Sequence, residues 1–231
     1  MKHLSQEAID KFINEIKPFA PVLSFPKAYS LVKAVESIVD ESIPGDIVEC
    51  GVWKGAMVAL AAKVLLFKED CDRKIWLYDT FLGMTEPSIK DVKIKKKTPA
   101  IKKYNLSKKG DYVDWCYGPL SEVKHNIEQT GYPKQNIVFV EGDVQLTLKD
   151  NFKPQIISLL RLDTDFYEST KCELTELYPN LVKNGYIIID DYGTWEGQRL
   201  AVNEFFALDS HQIYSTSEAG SSLIARKLIV N

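Results

Sequence analysis

The chain has 231 residues, of which 45% are hydrophobic and 26% are charged, and its formal net charge is −3. These values are typical of an ordinary globular protein, and they exclude an intrinsically disordered chain or a disulfide scaffold. The negative net charge indicates that nucleic acid is not the partner. The length allows one well-buried core, so we expect a single domain over residues 1–231.

The cysteines and the apolar runs indicate the cellular compartment of the protein. Four cysteines are scattered without a CxxC pair, which argues against a zinc ribbon or a thioredoxin motif and favours reduced thiols: Cys50, Cys71, Cys116 and Cys172. No apolar run approaches the roughly 20 residues that span a bilayer. Acidic residues occupy the N-terminus where a signal peptide needs an apolar core. We therefore predict a cytoplasmic protein without a membrane span.

The first third of the chain predicts N-terminal helices followed by a parallel sheet. Apolar residues at helical spacing indicate two helices within residues 1–44, with Ser5 as the N-cap of the first. Residues 46–51 predict a strand that runs into a Gly-rich turn, and residues 56–67 predict a helix. A second strand at 75–79 follows about 30 residues after the first, which is the repeat of a βαβ unit.

Residues 88–110 interrupt this pattern with nine lysines and one acid, Asp91. An insertion or loop of this length inside a domain is usually either a functional lid or disordered, and the sequence leaves both open. The simplest interpretation of these lysines is a solvated face of the protein. Their functional alternative is attraction of an anionic acceptor, such as a nucleotide-linked or acidic sugar.

The rest of the chain continues the alternation and ends in a hairpin. Strands are predicted at 136–143, 156–162 and 186–189, and helices at about 119–131, 168–178 and 197–206. Residues 211–216 and 222–225, joined by a polar turn, predict the hairpin. The predicted fold is an α/β, Rossmann-like class I methyltransferase fold. Its sheet would have seven strands, mostly parallel, with the antiparallel hairpin at the C-terminus.

The turn after the first strand contains the pattern E-x-G-x-x-x-G, from Glu49 through Gly51 to Gly55. Glycine lets the backbone pass close to a ligand where a Cβ atom would clash. The GxGxxG spacing that brings a pyrophosphate to a helix N-terminus is absent. The turn therefore suits S-adenosylmethionine better than NAD, although a purely structural tight turn is the alternative.

Acids at the next two strand ends extend the predicted cofactor site. Asp79 can accept hydrogen bonds from both ribose hydroxyls because a carboxylate has several lone-pair sites. Asp143 lies where such folds meet the adenine amino group, and the neighbours Thr80 and Val144, together with Asp163, complete the candidate set. The simpler interpretation of each acid is a cap on the turn that follows its strand.

The sharpest signal is a set of acids at the ends of the fourth and fifth strands, Asp163, Asp190 and Asp191. Carboxylates that meet at one edge of a sheet repel one another unless a cation lies among them. Oxygen ligands suit Mg²⁺ or Ca²⁺, and only three histidines argue against zinc or iron. Asp165 is interpreted instead as a helix cap, with Glu168 as its capping-box partner.

Four sequence blocks in this order resemble the macrocin O-methyltransferase family: residues 48–55, 77–83, 162–170 and 189–193. The similarity extends over about residues 27–227. Enzymes of this family are S-adenosylmethionine- and Mg²⁺-dependent methyltransferases that act on sugar hydroxyls of antibiotics and other glycosides. The resemblance implies a homo-oligomer.

The resemblance also implies roles for individual residues. Asp163, Asp190 and Asp191 would ligate the metal, and Asp163 would also act as general base. The cofactor pocket would be lined by Glu49, Gly51, Asp79 and Asp143.

We therefore predict an O-methyltransferase whose acceptor is a sugar hydroxyl of a glycoside, nucleotide sugar or polysaccharide precursor. An aromatic diol acceptor would use the same metal chemistry. A metal-dependent phosphoester hydrolase would explain the acids but not the cofactor turn. A noncatalytic nucleoside-binding subunit would explain the turn but would not need the acids.

Overall fold

The computed structural model describes residues 2–20, 22–150, 152–208 and 213–227. Two helices precede the sheet, α1 (Gln6–Ile16) and α2 (Phe25–Asp40). The Ser5 hydroxyl accepts a hydrogen bond from the Ala8 N–H, which confirms the predicted N-cap of α1. A single 3₁₀ turn, Lys17–Phe19, follows α1.

The central sheet has seven strands in the order β6-β7-β5-β4-β1-β2-β3. The strands are β1 (Asp46–Cys50), β2 (Ile75–Asp79), β3 (Ile137–Glu141), β4 (Ile157–Leu162), β5 (Leu181–Ile189), β6 (Ile213–Ala219) and β7 (Ser222–Lys227). The five strands β1 to β5 pair in parallel, and β7 runs antiparallel to β5 and β6. The predicted parallel sheet with a C-terminal hairpin is confirmed. The expected start of that hairpin, at residues 211 and 212, lies outside the described residues.

All but one of the remaining helices pack on the two faces of the sheet. They are α3 (Ala56–Phe67), α4 (Ala100–Ser107), α5 (Leu120–Glu128), α6 (Val144–Thr147), α7 (Tyr167–Leu177) and α8 (Glu196–Phe206), with 3₁₀ turns at Lys134–Asn136 and Tyr178–Asn180. Side chains alternate between the faces of a strand. In β1, Ile47 packs with α1, α2, α3 and α5, whereas Val48 and Cys50 pack with α6, α7 and α8. No helix in the described ranges is long and apolar enough to cross a membrane.

Residues 88–110, named here the basic segment, are folded. Short antiparallel strands pair Val92–Lys93 with Thr98–Pro99, and Lys108–Lys109 with Tyr112–Val113. Between them lies α4, which buries Ala100 and Tyr104. These side chains pack in an aromatic cluster with Trp115, Phe166 and Trp195. The alternative that the segment is disordered is therefore wrong, and its apolar residues rest on the loops that follow β4 and β5.

Candidate active site

The carboxyl ends of the parallel strands meet at one cleft of about 360 Å³, as expected for an open α/β sheet. Eight of the predicted site residues line this cleft: Gly51, Asp79, Thr80, Asp143, Val144, Asp163, Asp190 and Asp191. Glu49 is not among the lining residues. Lys27 and Arg161, which the sequence did not single out, contribute the cations.

The turn after β1 is held tightly between its two neighbouring strands. The Gly51 N–H donates to the Tyr78 carbonyl at 2.9 Å, and the Asp163 N–H donates to the Cys50 carbonyl at 2.8 Å. Gly51 has φ of 83°, and a Cβ atom there would lie 2.4 Å from the Asp163 carbonyl oxygen. Glycine is therefore required at this position, because the turn and the first acid of the cluster touch through their backbones.

Asp79 shapes the same turn through its side chain. Its Oδ2 accepts hydrogen bonds from the Val52 N–H at 2.6 Å and the Trp53 N–H at 2.9 Å, and its Oδ1 accepts from the Phe81 N–H at 2.7 Å. Burial raises the pKa of Asp79, although these amide donors offset part of the rise. A carboxylate has about four acceptor sites, so three bonds leave little capacity for a ligand. Asp79 fixes the turn in addition to any contact it makes with a ribose.

Asp143 and Thr80 also make local bonds while they line the cleft. Asp143 is the N-cap of α6, and its Oδ1 accepts from the Gln145 N–H at 2.8 Å. The Thr80 hydroxyl donates to the Gly83 carbonyl at 2.7 Å. Asp143 therefore caps α6, as the simpler interpretation predicts, and it also lines the cleft.

Arg161 is a buried cation at the centre of the acidic region. Its Nη1 donates to Glu49 at 2.8 Å, and its Nη2 lies 2.7 Å from Asp190 Oδ1 and 3.0 Å from Asp163 Oδ2. Burial raises the pKa of Glu49 to about 7, with Arg161 offsetting part of the rise. Glu49 thus lies beneath the cleft and orients Arg161 rather than forming the cleft wall. The sequence signal that could have identified Arg161 is its charge within the otherwise apolar strand β4.

Lys27 reaches the cleft from α2 and binds two of the predicted metal ligands. Its Nζ lies 2.6 Å from Asp190 Oδ2 and 2.8 Å from Asp191 Oδ1. Burial raises the pKa of Asp190, but Arg161 and Lys27 outweigh this effect and lower it to about 2. Asp190 is therefore an ionised carboxylate whose charge is already balanced by two cations.

Three carboxylates also converge in the cleft, where Asp163 shares Arg161 and Asp191 shares Lys27 with Asp190. Asp163, Asp165 and Asp191 each offer an oxygen, and these oxygens lie within 4.8 Å of one another. Burial raises the pKa of Asp163 and of Asp165, and the neighbouring carboxylates raise both further, whereas Arg161 lowers the pKa of Asp163 and Lys27 lowers that of Asp165. A cation among the three oxygens would relieve this repulsion. Because all three donors are carboxylate oxygens, the donor set fits Mg²⁺ or Ca²⁺.

The interpretation of Asp165 as a helix cap is wrong. The N-cap of α7 is Phe166, which makes no side-chain capping bond, and Asp165 has φ of 70°. The first amide of the helix, that of Tyr167, donates instead to Asp91 Oδ1 of the basic segment at 2.8 Å. With α7 capped from elsewhere in the chain, the Asp165 carboxylate is free to join the acid cluster.

Known proteins with similar sequences are methyltransferases. The family model described as Macrocin-O-methyltransferase (TylF) matches residues 27–216. The 8-demethyl-8-(2,3-dimethoxy-alpha-L-rhamnosyl)-tetracenomycin-C 4'-O-methyltransferase of Streptomyces olivaceus is 30% identical over 76% of this chain and 63% of its own length. The Mycinamicin III 3''-O-methyltransferase of Micromonospora griseorubida is 30% identical over 74% of this chain and 64% of its own length. The chain therefore spans a little less than two thirds of each of these relatives.

A solved structure has the same fold. The O-methyltransferase NovP superposes with a TM-score of 0.70 at 25% sequence identity, and the match covers 88% of this chain and 80% of NovP.

Proposed function

Because the chain belongs to the macrocin O-methyltransferase family, we propose that it is an S-adenosylmethionine-dependent O-methyltransferase that acts on a sugar hydroxyl. The observation that carries this proposal is the contact between Gly51 and the Asp163 backbone. This contact brings a turn without side-chain bulk and the acid cluster into a single cleft. The names of the two relatives support a sugar hydroxyl of a glycoside as the acceptor class. A nucleotide sugar and a polysaccharide precursor belong to the same class of acceptor.

The cofactor would bind on the β1, β2 and β3 side of the cleft. Gly51 leaves room for the methionine part, and Asp79, with Thr80 beside it, lies at the strand end expected for the ribose. Asp143 and Val144 would contact the adenine. Glu49 contributes indirectly, because it orients Arg161 beneath the acids.

We propose Mg²⁺ as the metal, with Asp163 and Asp191 as ligands. The sequence predicts Asp190 as the third ligand, whereas the short distances among the oxygens of Asp163, Asp165 and Asp191 support Asp165 in its place. A bound divalent ion lowers the pKa of a hydroxyl that it contacts and holds that hydroxyl in place.

Within this site Asp163 is the proposed general base. Its carboxylate would accept the proton of the attacking hydroxyl while that oxygen forms a bond to the methyl carbon and the sulfonium bond breaks. The transfer is direct and in line, so no covalent enzyme intermediate forms. Asp190 stays ionised and forms ion pairs with Arg161 and Lys27, and these contacts hold the neighbouring acids in position.

Calorimetric titration of S-adenosylhomocysteine into the protein, with and without Mg²⁺, tests the cofactor. We expect saturable binding in the micromolar range and no heat with NAD. Asp163→Ala should abolish methyl transfer while the affinity for S-adenosylhomocysteine stays within about threefold of wild type. Absence of S-adenosylhomocysteine binding would overturn the proposal and favour a phosphoester hydrolase, which phosphatase assays would then reveal.

We also propose that the protein forms a homo-oligomer. Light scattering measures the mass of the particle in solution and so tests this proposal.

A further inference from the structure

The basic segment carries positive charge that the rest of the protein leaves largely unpaired. Lys97 forms an ion pair with Glu196. The other eight lysines of residues 88–110 form no ion pair within the described part of the chain. A solvated surface would explain these lysines if all of them pointed into solvent, but four of them lie over aromatic rings.

Three of these four lysines lie over aromatic side chains next to the acid cluster, and the fourth, Lys108, lies over Tyr104 of the basic segment itself. The Nζ atoms of the first three are 3.2, 5.3 and 4.1 Å from the ring centroids of their partners, in the pairs Lys90 with Tyr167, Lys93 with Trp195, and Lys103 with Trp115. Contacts of this kind hold a cation without neutralising its charge. The lysines are therefore positioned and still available to an anion.

The aromatic cluster adjoins one end of the cleft. Asp165 and Cys116 line the cleft, and they are the chain neighbours of Phe166 and Trp115. Trp115 and Trp195 have ring centroids 5.9 Å apart, and both contact Phe166, which follows Asp165. The Trp195 N–H donates to the Asp191 carbonyl at 3.1 Å. This is the β4 and β5 side of the cleft. The proposed ribose and adenine contacts lie at the ends of β2 and β3, so the aromatic cluster adjoins the acceptor end.

Lys93 and Lys103 are close enough to influence each other electrostatically. Burial lowers the pKa of Lys103, and Lys93 lowers it further, while Cys116 and Asp165 act in the opposite direction. The backbone fixes this arrangement, because Lys93 bridges to Trp195 and the Ile94 N–H donates to the Thr194 carbonyl at 2.9 Å. Like charges held together cost free energy, which a bound anion would recover.

We propose that Lys93 and Lys103 form an anion subsite for the acceptor, so that the substrate is a negatively charged sugar. The charge is carried by a phosphate, as in a nucleotide-linked sugar, or by a carboxylate, as in an acidic sugar. The sugar hydroxyl would lie at Asp163 while the anionic group contacts the two ammonium groups. This inference rests on the proposed function and narrows its acceptor class.

Calorimetric titration of inorganic pyrophosphate in metal-free buffer tests the subsite without any catalytic turnover. We expect saturable binding that the double variant Lys93→Met/Lys103→Met weakens by about tenfold or more, since charge-assisted hydrogen bonds are lost. The matched control Lys95→Met/Lys96→Met removes two exposed lysines of the same segment and should retain wild-type affinity. Equal weakening in both double variants would overturn a specific site, as would no binding by the wild type.

An acceptor assay distinguishes the two sources of charge. Nucleotide diphosphate sugars, uronic acid glycosides and neutral glycosides of the same sugars are compared as substrates. We expect kcat/KM for one charged class to exceed that of the neutral class by about tenfold, and the advantage to vanish in Lys93→Met/Lys103→Met. Preferred methylation of neutral glycosides would overturn this inference but leave the proposed function intact. Loss of S-adenosylhomocysteine binding would instead contradict the proposed function, and the pyrophosphate titration would still decide the subsite.

Discussion

The Asp91 carboxylate accepts a 2.8 Å hydrogen bond from the backbone N–H of Tyr167, which is the first residue of α7. The other oxygen of Asp91 accepts from the Ser88 N–H and hydroxyl at 2.7 and 2.8 Å. One buried acid therefore joins the basic segment to the helix that follows the acid cluster. The negative charge is also favourable at a helix N-terminus.

Replacement of Asp91 by alanine should destabilise the protein and loosen the basic segment. The variant leaves the Tyr167 N–H without its partner in a buried position, and loss of a helix cap costs about 1–2 kcal/mol. We expect thermal denaturation about 2–8 °C below wild type and faster amide exchange across residues 88–110. Asp111→Ala, at an exposed acid of the adjacent turn, is the control. Equal melting temperatures of Asp91→Ala and Asp111→Ala would contradict the capping role of Asp91.

Asp165 and Asp190 should respond differently to replacement by asparagine. Asp165 shares the oxygen cluster with Asp163 and Asp191, so Asp165→Asn should weaken Mn²⁺ or Mg²⁺ binding measured by calorimetry by about tenfold or more. Asp190 is bound to Arg161 and Lys27. Its replacement removes one of the carboxylates that balance each cation, and the loss of charge-assisted hydrogen bonds of this kind costs about 1.5–3 kcal/mol of stability.

The opposite pattern would be equally informative. If Asp190→Asn removed metal binding while Asp165→Asn had no effect, the metal would have to displace Lys27 from Asp190. The sequence-based ligand set of Asp163, Asp190 and Asp191 would then be correct. Chemical denaturation of both variants separates a loss of affinity from a loss of folded protein.

Gly51→Ala should damage the cofactor turn more than the same change at a glycine of similar conformation. The new methyl group would lie 2.4 Å from the Asp163 carbonyl oxygen, whereas nothing lies within 4 Å at Gly131, which has φ of 78°. Gly131→Ala should cost about 1 kcal/mol for the left-handed backbone alone. Gly51→Ala should cost several times more and reduce S-adenosylhomocysteine affinity. Equal unfolding free energies for the two variants would show that the turn adjusts without strain.

Glu173 should make stability depend on pH. This residue of α7 is fully buried, and burial raises the pKa of its carboxyl to about 8, from an ordinary value of 4.5. The folded state therefore keeps a proton that the unfolded chain releases. The contribution to stability is complete below pH 4.5 and is lost as the pH rises through 8.

In Glu173→Gln this titration is absent. We expect the difference in unfolding free energy, wild type minus variant, to fall between pH 5 and 8 by at most about 1.4 kcal/mol per pH unit. Urea denaturation across this range measures it. In the control Glu168→Gln, at an exposed position of the same helix, the unfolding free energy should change with pH as it does in wild type. The same pH dependence in Glu173→Gln would contradict a buried, protonated Glu173.

The sequence by itself determined the elements of this protein and the edge of the sheet where its chemistry lies. Apolar spacing identified α3 and β2 with the observed bounds, because a helix or a strand buries side chains at a fixed local period. The acids at the strand ends could be placed in one cleft from topology alone, because parallel strands present their carboxyl ends at the same edge.

Only the tertiary structure decided which partner each of these acids has. The cap of α7 comes from Asp91, 76 positions away, and so Asp165 joins the acid cluster. Lys27 reaches Asp190 across 163 positions. Sequence periodicity reports only local geometry, whereas buried charges select their partners by distance in the folded chain.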